Sequence, residues 1–427
     1  MLIEDLHTLF LECNTVCTDT RKIKKGDLFF ALKGDNFNGN TYAENALKSG
    51  AKYAIVDEIE FNTNNNTILV HNVLKTLQEL ASYHRSYLNI PIIALTGSNG
   101  KTTTKELINA VLAKKFKTTA TIGNLNNHIG VPLTLLSMTN KTQIGIVEMG
   151  ANHQKEIDFL CKIAKPDYGY ITNFGKAHLE GFGSIGGVIK GKSEMYSYLI
   201  KNNKHIFVNT NDPIQVEKTT KANTYTFGSN LNTNNVTIKF VSATPFVNCT
   251  YKNNEIKSLL IGDYNFNNIA AAITIGSYFK VNDTAIKQAI ENYTPTNNRS
   301  QIIKKGNAKI ILDAYNANPT SMQAALLNFE KQTGYKTAIL GDMFELGKEA
   351  LIEHQNIANL ASSLKINQVI LIGENFNELK LNDEKIKKFN SFEAFKNNYN
   401  TTLINKKSSI LIKGSRGMAL ERVLELL

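Results

Sequence analysis

The stretch IPIIALTGSNGKTTTKELINAVLAKKF, residues 90–116, decides how the rest of the chain is read. Its opening IPIIAL is an apolar run of strand length, as a buried parallel strand requires. Its tail spaces Leu107, Ile108, Val111 and Leu112 along one helical face. Between them lie Gly97, Ser98, Asn99, Gly100, Lys101, Thr102 and Thr103. Glycines allow the tight turn that aims successive backbone N–H groups at an anion. A lysine and a hydroxyl directly after the second glycine suit the β/γ-phosphates of a nucleotide and its Mg2+. The full P-loop pattern asks for glycine where this chain has Leu95, so the match is to the shorter G-x-x-G-K-T. A glycine-rich turn can also bind nothing. The strand before it and the helix after it are the context that favours a phosphate loop.

Working outward, the chain divides into three α/β blocks. Residues 1–88 hold CTDTRKIKKGDLFFALKG, with an alternating DLFFAL strand, then a helix and strand in AENALKSGAKYAIVD, a polar loop in EIEFNTNNNT and a helix in VLKTLQELASYHRSYLN. Residues 89–296 alternate strand and helix, through QIGIVEMG, PDYGYITNF and HIFVNTND, which predicts a mostly parallel sheet covered on both faces. Between 222 and 262 the runs VTIKFV, FVNCTY and IKSLLI predict an antiparallel addition, followed by a helix in NFNNIAAAITIGSYF. Residues 297–427 carry strands at KIILDAY, KTAILGD, QVILIG and SSILIKGS, with helices from Thr320, around 351–363, around 392–399 and in the closing GMALERVLEL. Four strands alternating with helices predict a doubly wound, Rossmann-like sheet.

At 427 residues, 42% apolar and 20% charged, this is ordinary soluble composition in more than one domain. No apolar run is long enough to span a bilayer, so no membrane insertion is expected. The N-terminus MLIEDLHTLF carries acids where a signal peptide carries Lys or Arg, which predicts a cytoplasmic protein. Cys13, Cys17, Cys161 and Cys249 are few and scattered, as expected of reduced thiols. The net charge of +11, from 48 basic and 37 acidic side chains, suits an anionic partner. No basic block interleaved with aromatics appears, so a small phosphorylated substrate fits better than nucleic acid.

In open α/β sheets ligands gather at the carboxyl ends of the strands. Glu148 closes QIGIVEMG, where a carboxylate could hold Mg2+ opposite the loop or merely sit exposed. His178 follows the strand YGYITNF, and a lone histidine there is more often structural. Lys192 in IKGKSEMY reads on composition as a solvated lysine. Asp313 heads DAYNANPTSM, whose Asn316, Asn318 and Pro319 make a turn before a capped helix. Asp342 and Lys413 end two further strands at what reads as the same edge.

These stretches, with GNLNNHIGVPLTLL, VEMGANHQKEI, ITNFGKAHLEGFGS, LGDMFELG and KGSRGMALERV, resemble the Mur ligases in order and spacing over essentially the whole chain. Among them the chain looks most like those that add D-alanyl-D-alanine to UDP-N-acetylmuramoyl-tripeptide in peptidoglycan synthesis. The resemblance implies a UDP-substrate domain, an ATP domain and a C-terminal ligase domain, forming an amide through an acyl phosphate. It implies Lys101 on the β/γ-phosphates, Thr102 and Glu148 on one Mg2+, and His178 with a carbamylated Lys192 on a second. Asn265 and Asn268 would meet the adenine, Arg299 and Asp313 the ATP, and Asn316 and Asn318 the incoming dipeptide. Thr18, Asp19, Thr20 and Arg21 would lie near the UDP. A monomer is expected. The chain departs from the family in Thr18 and Thr20 for serines, FNGNTY for an Asp-Gly-His, Asn298 for Gly and Tyr264 for His. A P-loop switch or motor, a single-strand nucleic-acid binder, the ligase adding the third peptide residue and a folylpolyglutamate synthase are the alternatives.

Overall fold

The computed structural model of the protein describes residues 1–398 and 409–427. Each block builds its own sheet. The first is a four-stranded parallel sheet in the order Val16–Cys17, Leu28–Phe30, Tyr53–Val56, Thr67–Leu69. The expected alternation in DLFFAL is replaced by burial of all three strand residues. The cause is cover on both faces: Leu28 and Phe30 join one apolar cluster, while Phe29 joins another with Ala43, Ala46 and Ala54. The helix Val73–Leu88 then packs against Gly130–Leu136 and Glu156–Ala164, tying the first block to the second. A buried pair reinforces that joint, with His7 Nε2 2.9 Å from His84 Nδ1, and His84 Nε2 2.9 Å from the Met138 carbonyl.

The central sheet has nine strands. Its parallel part places Ile92–Thr96 between Tyr168–Ile171 and Ile144–Glu148, with Thr118–Ala120, which the sequence reading missed, at the edge. All five residues of Ile92–Thr96 and of Ile144–Glu148 are buried. Successive side chains point to opposite faces, so Ile92, Ala94 and Val147 join one cluster and Ile93, Leu95 and Ile146 the other. The helices Lys101–Leu112 and Asn265–Tyr278 pack together on the second face. The predicted antiparallel addition is present as Val236–Ser242, Asn248–Tyr251 and Asn254–Lys257. The last stops well before the end of IKSLLI, and Val236–Ser242 pairs parallel with its inner neighbour Asn223–Gly228.

The third sheet has six strands, not four. Ala308–Asp313, Ser409–Lys413, Lys336–Gly341 and Gln368–Ile372 form the parallel core, joined by Ile386–Phe389 and by antiparallel Gln301–Lys305. The added hairpin turns at Gly306, whose left-handed φ of +57° glycine adopts without steric cost. Helices form at Pro319–Glu330, Ala350–Ser363 and Phe392–Asn397; residue 399 of the predicted third helix lies outside the described residues. The closing helix is a correction. Residues 416–425 form two 3-10 turns, Arg416–Met418 and Leu420–Glu425, because Ala419 between them takes the left-handed φ of 47°. No helix among the described residues is long and apolar enough to cross a membrane.

Candidate functional site

The carboxyl ends of the second and third sheets face each other across a cleft of about 640 Å³. One wall is the loop of residues 97–100, and its glycines are required there. Gly97 has a φ of +141°, and a Cβ on it would fall 2.0 Å from Thr172 Oγ1. Gly100 has a φ of +78°, and its Cβ would meet Asn268 Oδ1 at 2.6 Å. The segment after Tyr168–Ile171 straps the loop down. Ser98 N donates to Asn173 O at 3.1 Å, Asn99 N to Asn173 Oδ1 at 3.0 Å, and Thr172 Oγ1 to Asn99 O at 2.6 Å. Lys101 Nζ folds back to donate to Gly97 O at 2.6 Å. Burial pulls its ammonium below the ordinary lysine range, while Glu148 opposes and Arg299 adds to the shift.

Glu148, the last residue of its strand, is 2% exposed, which removes the exposed-loop reading. Thr102 Oγ1 donates to its Oε2 at 2.9 Å and Asn126 Nδ2 to its Oε1 at 2.8 Å. A threonine hydroxyl beside a carboxylate is a hard oxygen donor set of the kind that would hold Mg2+. The second expected pair is not assembled in the same way. His178 Nδ1 pairs with the Glu345 carboxylate, and Lys192 Nζ donates to Ala151 O at 3.0 Å. Among the described residues no cluster of three or more His, Cys, Asp or Glu side chains could hold a metal by itself. Lys192 is nonetheless not the solvated lysine of its composition. It is 1% exposed, and burial first, then the charge of Lys101, holds its ammonium well below the usual range.

Asn268 and Asn265 form the next part of the wall. Thr104 Oγ1 donates to Asn268 Oδ1 at 2.9 Å, Asn268 Nδ2 to Asn265 Oδ1 at 2.7 Å, and Asn265 Nδ2 to Ile261 O at 2.8 Å. Tyr264 meets Ser300 Oγ through its hydroxyl at 2.8 Å. Asn298 and Ser300 bracket Arg299 with left-handed φ values of 51° and 53°, a conformation asparagine tolerates better than most residues. Arg299 lies over the Tyr315 ring at 3.7 Å, and its Nε is buried with no partner among the described residues. A buried guanidinium N–H left unpaired is costly unless an anion takes it up.

Asp313 is fully engaged: Ser300 N donates to its Oδ1 at 2.9 Å and Lys413 Nζ to its Oδ2 at 2.6 Å. Asn316 lines the cleft while its Oδ1 accepts from Ala317 N at 2.9 Å. Asn318 caps the helix Pro319–Glu330 with a capping box and donates to Asn99 Oδ1 across the cleft at 2.8 Å. Its amide therefore faces the phosphate loop as much as any acceptor. Lys176 adds to the closure, with its N donating to Thr320 Oγ1 at 3.0 Å and its Nζ to Glu353 Oε1 at 2.6 Å. Asp342 is a correction to the sequence reading. It is buried away from the cleft lining, accepting from Asn375 N at 2.9 Å and Phe376 N at 3.0 Å at the start of a short helix.

Thr18, Asp19, Thr20 and Arg21 follow the strand Val16–Cys17 in the first sheet and are not part of this cleft. Arg21 Nε donates to Asp19 Oδ1 at 2.8 Å, and this bond draws the Asp19 carboxyl down to about 2. Sequence reasoning missed Asn126, Tyr315 and Arg416 as cleft residues. All three sit inside quoted motifs, but nothing in their type marks them off from their neighbours.

A phosphate loop at the end of one parallel sheet, closed over by a second sheet carrying an unpaired guanidinium, defines a nucleotide-dependent enzyme whose site is completed by two domains. The comparisons agree. Residues 12–85 match the Mur ligase family catalytic domain, 95–276 the Mur ligase middle domain and 298–416 the Mur ligase glutamate ligase domain. The chain is 35% identical to the UDP-N-acetylmuramoyl-tripeptide–D-alanyl-D-alanine ligase of Buchnera aphidicola subsp. Baizongia pistaciae, covering 98% of this chain and 93% of that one. It is also 35% identical to the ligase of that name from Bacillus subtilis, over 96% and 92%. Among solved structures it is similar to MurF from Acinetobacter baumannii, with a TM-score of 0.87, 29% identity and 99% and 97% coverage. MurF ligase from Thermotoga maritima in complex with ADP gives 0.83, 26%, and 98% and 97%. The chain belongs to the Mur ligase family and is of the MurF type.

Proposed function

We propose that this protein joins D-alanyl-D-alanine to UDP-N-acetylmuramoyl-tripeptide, driven by ATP, in peptidoglycan synthesis. The observation that carries the reading is the contact of Asn99, in the phosphate loop, with Asn318, in the turn opposite, within a chain similar end to end to ligases of that name. Residues 1–88 are assigned to the UDP-substrate, 89–296 to ATP and 297–427 to the acceptor.

A carboxylate is a poor electrophile, so the tripeptide carboxylate first takes the γ-phosphoryl group of ATP, releasing ADP and forming an acyl phosphate. The dipeptide amine then attacks the acyl carbon, phosphate leaves, and the amine loses a proton. Phosphoryl transfer depends mostly on positioning and charge neutralisation. Lys101 supplies charge from the loop and Arg299 from the opposite wall, with its buried Nε free to meet an anion. Asn265 and Asn268 give a fixed polar wall for the adenine, and Asp313 orients Lys413 and the turn after Arg299. Mg2+ held by Thr102 and Glu148 would offset the charge of the phosphate oxygens. Closure by Asn318, Lys176 and Glu353 keeps water from the acyl phosphate. One chain supplies both walls of the cleft, so a monomer suffices, and use of ATP fits a cytoplasmic protein.

The test is phosphate release from ATP with UDP-N-acetylmuramoyl-tripeptide and a panel of amines. D-Alanyl-D-alanine should stimulate release, while diaminopimelate, lysine and glutamate should not. Turnover with a single amino acid and none with the dipeptide would remove the MurF-type activity.

A second Mg2+ at His178 and a carbamate on Lys192 rests on the burial of Lys192 alone. A carbamate forms when a neutral amine adds CO2 and releases a proton, and burial shifts this lysine toward the neutral amine. Lys192→Arg places a permanent cation there and cannot undergo that chemistry. It should lose at least ~100-fold in turnover, on the scale of a lost electrostatic group in a dry site, with nucleotide binding retained. Labelled bicarbonate should mark the parent protein and not the variant; an unmarked parent removes the carbamate.

A further inference from the structure

Four cationic side chains among the described residues line the cleft, Lys101, Arg299, Lys413 and Arg416, and three have evident work. Lys101 directly follows the phosphate loop, and Arg299 stands on the opposite wall with its Nε buried. Lys413 is 2% exposed and held by Asp313. Arg416 stands apart: its side chain is 59% exposed at the rim, with Nη1 donating to Glu421 Oε1 at 2.8 Å. A guanidinium has five N–H donors in a planar fork, so this bond orients it and leaves an edge free for a carboxylate. The turn that carries it is fixed against the turn that carries Asn316. Lys413 Nζ donates to Asn316 O at 3.2 Å, Ser415 Oγ to Ala317 O at 3.4 Å, and Ser415 Oγ accepts from Phe344 N at 2.8 Å.

We infer that Arg416 is a specificity-determining residue that holds the terminal carboxylate of the acceptor dipeptide. The inference rests on the acceptor reading above. An acceptor of this class has an amine at one end and a carboxylate at the other, roughly 7 Å apart when extended. The amine must reach inward to the acyl carbon near the loop, which leaves the carboxylate at the rim. A cation fixed at the rim therefore measures the acceptor's length and rewards a dipeptide over a single amino acid.

The experiment compares D-alanyl-D-alanine with its C-terminal amide in the parent enzyme, Arg416→Ala and Arg416→Lys. Hydrogen bonds to charged groups set the scale, so the parent should prefer the acid by on the order of 10- to 100-fold in kcat/KM. Arg416→Ala should raise the KM for the acid by that factor, leave the amide unchanged and so erase the preference. KM for ATP and for the tripeptide substrate should hold. Arg416→Lys should fall between, because a point charge replaces the fork. A preference that survives Arg416→Ala, or a KM rise confined to the tripeptide substrate, would overturn the assignment. A parent enzyme that uses neither dipeptide would instead overturn the acceptor reading, which the amine panel detects separately.

Discussion

Lys101→Met should reduce ligation and phosphate release by roughly 10³-fold, the scale of losing a cation that stabilises a phosphoryl transition state. Methionine matches the lysine stem in length and flexibility, so the loop keeps its packing. What is lost is one ammonium, which here donates to Gly97 O at 2.6 Å. That bond shows where the charge rests in this structure: folded onto the loop that would hold the β/γ-phosphates. Burial already pulls the ammonium below its ordinary range, and Arg299 pushes it further in the same direction. A nucleotide phosphate beside the ammonium would offset both effects, because a nearby anion favours the charged form. The unfolding temperature should move by only a few degrees, because a single net hydrogen bond contributes about 1 kcal/mol. ADP affinity, measured by calorimetry, should fall less than turnover, since the transferred group makes the stronger demand. A Lys101→Met enzyme keeping a tenth of the parent rate would mean that the loop does not hold the transferred phosphate.

The sequence made some of this legible and hid the rest for physical reasons. The phosphate loop was readable because its geometry demands glycine at 97 and 100, and a demand on backbone leaves a mark in residue type. Buried strands such as Ile92–Thr96 and Ile144–Glu148 were readable because cover on both faces removes polar residues. Leu28–Phe30 shows the limit: a run with apparent alternation was buried throughout, because the helix Ala43–Lys48 folds back over its second face, a packing that the run itself does not reveal. The final segment shows another. GMALERVLEL has helical spacing, yet Ala419 adopts a left-handed φ that spacing does not reveal, and the helix breaks into two turns. At the site, Asp342 and Lys413 looked alike as polar strand ends. Only the fold separates Lys413, held by Asp313 in the cleft, from Asp342, spent on the backbone of Asn375 and Phe376. Arg299 needed the structure too, since an unpaired Nε is a property of its surroundings and not of its type.

Glu148→Gln should lower turnover by about 10²- to 10³-fold and raise the Mg2+ concentration needed for half-maximal rate. The reasoning begins with two donors. Thr102 Oγ1 and Asn126 Nδ2 both point at this carboxylate, at 2.9 and 2.8 Å, and the residue is 2% exposed. Alanine would leave both donors without a partner inside the protein, at about 1–3 kcal/mol each, and would confuse a folding defect with a chemical one. Glutamine keeps the volume and one carbonyl oxygen, so the fold should survive, with a melting temperature close to that of the parent. It loses the negative charge, and that is the property a Mg2+ ligand needs. Nucleotide binding without metal should be nearly unchanged, because the loop backbone and Lys101 remain. Raising Mg2+ should recover part of the rate in Glu148→Gln but none of it in Lys101→Met, which separates a weakened metal site from a missing cation. If Glu148→Gln worked normally at ordinary Mg2+, the carboxylate would be a structural acceptor for Thr102 and Asn126, and the metal would be held elsewhere.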